Sequence, residues 1–175
     1  MSHTQSAATG QARGRDLEEN EKTVQTVREG RILVNFVRAT FDKDKDDLRV
    51  LTLNISFPLT PAHKGLLPPK VEEMWRVMQR GGVKRIDVTE IEDQVIEISP
   101  APDIKATFRA TEVQIEKATL AEIEEKGSGE AQKVIRLSFD ASMSLEPALG
   151  HWAQANYGAL LWMRMQPQQA RLPIH

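Results

Sequence analysis

From Arg49 to Leu59 the chain alternates without a break. Leu51, Leu53, Ile55, Phe57 and Leu59 occupy one set of positions, and Thr52, Asn54 and Ser56 the other. A repeat of two residues is the period of a β-strand, so these side chains fall on opposite faces. Five large apolar groups on one face must be covered, while the other face is suited to water. The stretch therefore demands a sheet folded over a core, and it excludes an all-helical fold.

Two further runs carry the same period. The odd positions from Val113 to Ile123 read Val, Ile, Lys, Thr, Ala, Ile, and those from Ile135 to Leu145 read Ile, Leu, Phe, Ala, Met, Leu. Between them lies Gly127-Ser128-Gly129, which reads as the tip of a long β-hairpin over 112–145 and a candidate interaction point. A two-residue turn at Ser128-Gly129 would put the two apolar faces on opposite sides of the sheet. A five-residue loop from Gly127 to Ala131 keeps them together, setting Ile123 opposite Ile135, Glu122 opposite Arg136 and Glu125 opposite Lys133. A three-residue loop would face Glu116 with Asp140, two like charges. The five-residue loop is therefore the expected register. Residues 112–126 also contain good helix formers, but the flanking pattern favours strand.

Other segments fill in the architecture. "RILVNFVRATF" has apolar residues at both odd and even positions, as in a strand covered on both sides. A short strand before it is expected to turn at Glu29-Gly30. "PKVEEMWRVMQRGG" is the one strongly amphipathic helix, over about 69–80. Val71, Met74, Trp75 and Met78 form one stripe, Pro69 suits the first turn, and Gly81-Gly82 ends it. "VKRIDVTEIEDQVIEIS" reads as two short strands turning at Glu92-Asp93. A short second helix with Gly150 inside it is expected near 146–156, and "ALLWMRMQ" reads as a last strand buried on both faces. The expected fold is α+β, mainly antiparallel β: a sandwich or partly open barrel of about seven to nine strands, the helix covering a sheet face or plugging an end. The expected organisation is a disordered N-terminal arm over 1–22, a single β-rich domain over 23–166, and a C-terminal tail over 167–175.

The chemistry is defined mostly by exclusion. The 175 residues include no cysteine, which removes disulfides, thiolate ligands and thiol nucleophiles together. No apolar run approaches a membrane span, and the N-terminus has no apolar signal core, so a cytoplasmic protein without membrane contact is expected. Asp42, Asp44 and Asp46 imitate the start of a calcium loop, but Asp47 stands where that loop needs glycine and Leu53 where it needs glutamate. His3, His63, His151 and His175 are scattered along the sequence. Gly127-Ser128-Gly129 precedes a strand rather than a helix and lacks the lysine of a phosphate loop. No catalytic, cofactor or metal residue is assigned.

Charge leaves one alternative. The net charge is −2, which gives no global attraction to nucleic acid. Locally, Lys64, Lys70, Arg76, Arg80, Lys84 and Arg85 give residues 64–86 an excess of four positive charges, and 87–103 carries six acidic residues and no basic one. Lys70, Arg76, Arg80, Lys84 and Arg85 are thus candidate nucleic-acid contacts. The first expectation is nevertheless a non-enzymatic structural or protein-interaction protein that self-associates through its arm and long hairpin. A module for single-stranded nucleic acid is the alternative. A pocket inside the barrel served by carboxylates such as Asp140 comes third.

Overall fold

The alternation in residues 49–59 becomes a ten-residue strand, Arg49–Pro58, that pairs with one of its neighbours without a register slip. In the computed structural model residues 25–43, 49–127 and 129–169 are described. They form β1 (Val27–Arg28), β2 (Arg31–Lys43), β3 (Arg49–Pro58), α1 (Pro69–Gln79), β4 (Arg85–Val88), β5 (Gln94–Ser99), β6 (Phe108–Glu125), β7 (Gln132–Ser144), α2 (Pro147–Ala155) and β8 (Leu160–Pro167). A single 3₁₀ turn, Pro61–His63, precedes α1. The fold is α+β and mainly antiparallel β, as the sequence implies.

Every strand pairing is antiparallel. The order β2-β3-β7-β6-β5-β8 returns to β2, which closes a six-stranded barrel; β1 extends it from β2 and β4 from β6. Closure removes the open edges that a flat sheet would leave. The interior is packed with apolar side chains. Phe36, Ile55, Phe57, Phe108, Leu120 and Met163 are each less than 2% exposed. An interior pocket served by Asp140 is therefore not what the fold provides. Asp140 lies on the outer wall, where Asn54 Nδ2 donates to its Oδ1 at 2.8 Å.

The helices close the two ends. Val71, Trp75 and Met78 of α1 are buried in the core and Met74 packs partly against it, so the predicted stripe is the packing face. α1 begins with Pro69 at its first turn and ends before Gly81 and Gly82, whose φ values are +88° and +87°. Beside it, the His63 ring lies 5.5 Å from Phe57. At the other end Trp152 of α2 sits 5.9 Å from Phe36 and 4.5 Å from Phe108. Gly150 packs closely inside α2: a Cβ there would stand 3.2 Å from Leu145 Cδ1, which would have to shift slightly to admit it. Among the described residues no helix is long and apolar enough to cross a membrane.

Four expectations change. The Glu29-Gly30 turn forms as anticipated, with both φ values positive (+53° and +69°) as a tight two-residue hairpin turn requires. β2, however, is not covered on both faces. Its register slips between Phe36 and Arg38, so an inserted residue switches which positions face inward. β8 has one core face, Leu161, Met163 and Met165; Leu160 on the other side is 64% exposed. A barrel strand has only one interior to fill.

β4 and β5 do not pair with each other. β4 lies along Ala118–Ala121 of β6 and β5 along Phe108–Val113, so the two short strands share one edge of a strand longer than either. The hairpin register also differs from the five-residue loop. Glu125 pairs with Gln132, Ile123 with Val134 and Glu122 with Ile135, so the connection spans 126–131. The reason is a bulge at Lys117, whose φ is +49°. It shifts the face by one position, and Glu116 does stand opposite Asp140. The ammonium of Lys117 answers that repulsion from 3.7 Å of Asp140.

Candidate functional site

The interior is filled with apolar side chains, so the candidate features lie on the outer surface. Its most distinctive feature is the far end of the β6–β7 hairpin. β3 follows β7 up to the Pro58–Arg136 pair, with one more bond from Leu59 N to Ile135 O at 2.7 Å. On the other side β4 follows β6 up to the Arg85–Ala121 pair, with one more bond from Glu122 N to Lys84 O at 2.8 Å. The hairpin then continues alone through the pairs Ile123–Val134, Glu124–Lys133 and Glu125–Gln132. Along this extension, among the described residues, the outward N–H and C=O groups of both strands have no strand beside them. The outer edge of β4 is likewise without a strand partner among the described residues.

Charge guards these edges. Lys133 Nζ lies 3.5 Å from Glu122 and Arg136 donates to Glu125 at 2.9 Å. The same four residues were expected to pair across the hairpin, but the altered register exchanges their partners. Such edge charges suppress indiscriminate strand pairing. Gly127 and Gly129 at the tip face open space, with nothing within 4 Å of where a Cβ would stand. Ser128 lies outside the described residues, as do the arm 1–22, Asp44, Asp46 and Asp47, and the tail beyond Gln169.

The basic candidates divide into two groups. Lys70 stands 3.5 Å from Glu73 and Arg85 3.5 Å from Asp87, so each has an acidic neighbour. Lys64, Arg76, Arg80 and Lys84 are exposed and have no ion-pair partner among the described residues. Lys64 and Arg76 line one shallow groove with Glu72, Trp75 and Gln79. The exposed cations thus run from the turn before α1, along that helix, to the start of β4.

The sequence reading missed a polar ladder on the outer wall. Thr52 pairs with Ser142 at 3.0 Å, Asn54 with Asp140 at 2.8 Å and Ser56 with Ser138 at 2.9 Å. Small polar residues at alternate positions of two strands are the signal that could have revealed it. Arg136 Nη1 donates to Ser56 Oγ at 3.1 Å and covers one end of the ladder. Each rung is satisfied from within the wall, so the ladder ties β3 to β7.

One titratable group departs from ordinary behaviour. His63 is fully buried, and burial pushes its pKa below the usual imidazole value. Its Nδ1 accepts from Thr60 N at 2.8 Å, which leaves the proton on Nε2, an atom with no hydrogen-bond partner among the described residues. The neutral ring packs on Phe57 and closes the turn before α1, which is a structural duty.

No protein-family model matches the chain, and no curated protein or solved structure matches it either.

Proposed function

We propose that this is a non-enzymatic structural or protein-interaction protein that self-associates through the β6–β7 hairpin. The observation that carries the reading is the unaccompanied end of that hairpin in a wall that otherwise closes on itself. Unpaired strand edges are templates for another strand, and alternating charges decide which strand fits. A second copy carries the same edges and the same Glu122, Glu125, Lys133 and Arg136, so antiparallel pairing between copies can match opposite charges. The filled interior supports the reading by leaving recognition to the outside.

Mass in solution tests it. Light scattering over a range of concentration and salt is expected to give a discrete oligomer. Replacing 124–133 by Asn-Gly closes the Ile123–Val134 pair with a tight turn and is expected to reduce that oligomer while the barrel stays folded. A strict monomer at every concentration would remove the proposal.

The exposed Lys64, Arg76, Arg80 and Lys84 support a second reading, a single-stranded nucleic-acid module. It requires binding that weakens steeply with salt and is lost in Arg80→Glu with Lys84→Glu.

A further inference from the structure

The basic surface around α1 lies where the chain enters the described structure. Gln25 is the first described residue. Next to it, Thr26 Oγ1 lies 3.3 Å from Thr60 Oγ1, and Thr26 O accepts from Leu33 N at 2.8 Å. Thr60 caps the Pro61–His63 turn that leads directly to Lys64 and then to α1. The point of entry is thus fixed beside the start of the basic surface.

One run in the chain that precedes Gln25, set between Arg15 and Lys22, carries the complementary charge. Residues 16–21 read Asp-Leu-Glu-Glu-Asn-Glu, four acidic residues and no basic one. Glu21 is four residues from Gln25 and Asp16 nine, so an extended chain places them within about 13 to 30 Å of that point. An eleven-residue helix such as α1 is about 16 Å long. The acidic run can therefore reach Lys64, Arg76, Arg80 and Lys84 without a long linker. A short tether raises the local concentration of the run at that surface to about the millimolar range, well above that of a free partner.

We infer that Asp16–Glu21 of the same chain docks on the basic surface formed by Lys64, Arg76, Arg80 and Lys84. The occupant is an acidic peptide held there by charge. Docking occupies the surface the nucleic-acid reading would use, and it is independent of whether the hairpin pairs.

Carbodiimide coupling of carboxylates to lysines in the full chain tests this, using an equal mixture of unlabelled and ¹⁵N-labelled protein. The expected result is amide links from residues 16–21 to Lys64 or Lys84, joining fragments of the same isotope only. They should disappear in 1 M salt and in the variant with Asp16→Asn, Glu18→Gln, Glu19→Gln and Glu21→Gln. An unchanged circular dichroism spectrum and urea midpoint of that variant keep the comparison valid. Links of mixed isotope would assign the surface to the arm of a second copy and overturn the intrachain contact. Absence of links would overturn it as well. So would a short single-stranded oligonucleotide that binds the intact chain and the neutralised variant with equal affinity at low salt, because a docked arm predicts weaker binding by the intact chain, by about tenfold.

Discussion

β3 and β6 are both long strands of the same wall, yet they obey different rules. In β3 every second residue from Leu51 to Phe57 faces inward, each 1% exposed or less. In β6 the inward positions are Phe108 and Ala110, then Val113, then Ala118 and Leu120, so the parity changes twice. The changes coincide with Glu112 and Lys117, whose φ values are +54° and +49°. They also coincide with the register slips against β5 and β7. A bulge bends a strand and increases its twist. β6 borders the barrel along one stretch and leaves it along the next, and the two bulges mark how that is done. The strand that stays in the wall keeps its period, and the strand that leaves it resets its period.

The largest effect should come from the regular strand. Leu53→Ala leaves a cavity in a fully buried site and is expected to cost about 2–5 kcal/mol in urea unfolding. Ile123→Ala, on the unaccompanied part of the hairpin, should cost less than about 1 kcal/mol. Equal losses at the two sites would mean that the hairpin end is as well covered as the barrel.

Acid should act on the end closed by α1. Because burial lowers the pKa of His63 from its ordinary 6.5, the unfolded chain takes up a proton near that pH while the folded chain does not. Stability is present above the ordinary value and falls as pH drops through it toward the folded pKa. Urea midpoints from pH 7.5 to 5.5 should therefore decline more steeply for the natural chain than for His63→Asn, whatever the variant costs at neutral pH. Identical slopes would show that His63 titrates alike in both states.

The bulges provide a smaller effect of opposite sign. Glu112→Gly places glycine where a side chain is strained, and it should stabilise the fold by up to about 1 kcal/mol. Lys117→Gly gains the same relief but loses the contact with Asp140, so its net gain should be smaller. Thr119→Gly, past the second bulge in regular strand, should destabilise by about 0.5–1 kcal/mol. If all three glycines destabilise equally, the bulges are not sites of backbone strain. The smallest effect belongs to Arg85 and Asp87, both about 70% exposed. Asp87→Asn should change stability by no more than about 0.5 kcal/mol.

Much of the architecture was legible wherever one physical signal acted alone. The alternation of β3 gave its buried face, and the stripe of α1 with its proline and glycines gave the helix, its limits and its packing side. The Glu29-Gly30 turn and the helix around Gly150 were legible for the same reason. The surface was partly legible. Acidic and basic residues of the hairpin were matched in kind but assigned to the wrong partners, because the register depended on a bulge that the sequence does not mark with glycine. Glu112 and Lys117 look like ordinary strand residues.

The sequence by itself determined most of the strands, both helices and the buried faces of β3 and α1, since period and turn chemistry act over a few neighbouring residues. Only the tertiary structure decided that six strands close on themselves, that β4 and β5 share the edge of β6 rather than pair, and that the hairpin continues past its neighbours. Those outcomes depend on closing a barrel whose strands must bend and shift register together, and no window of local sequence contains that constraint.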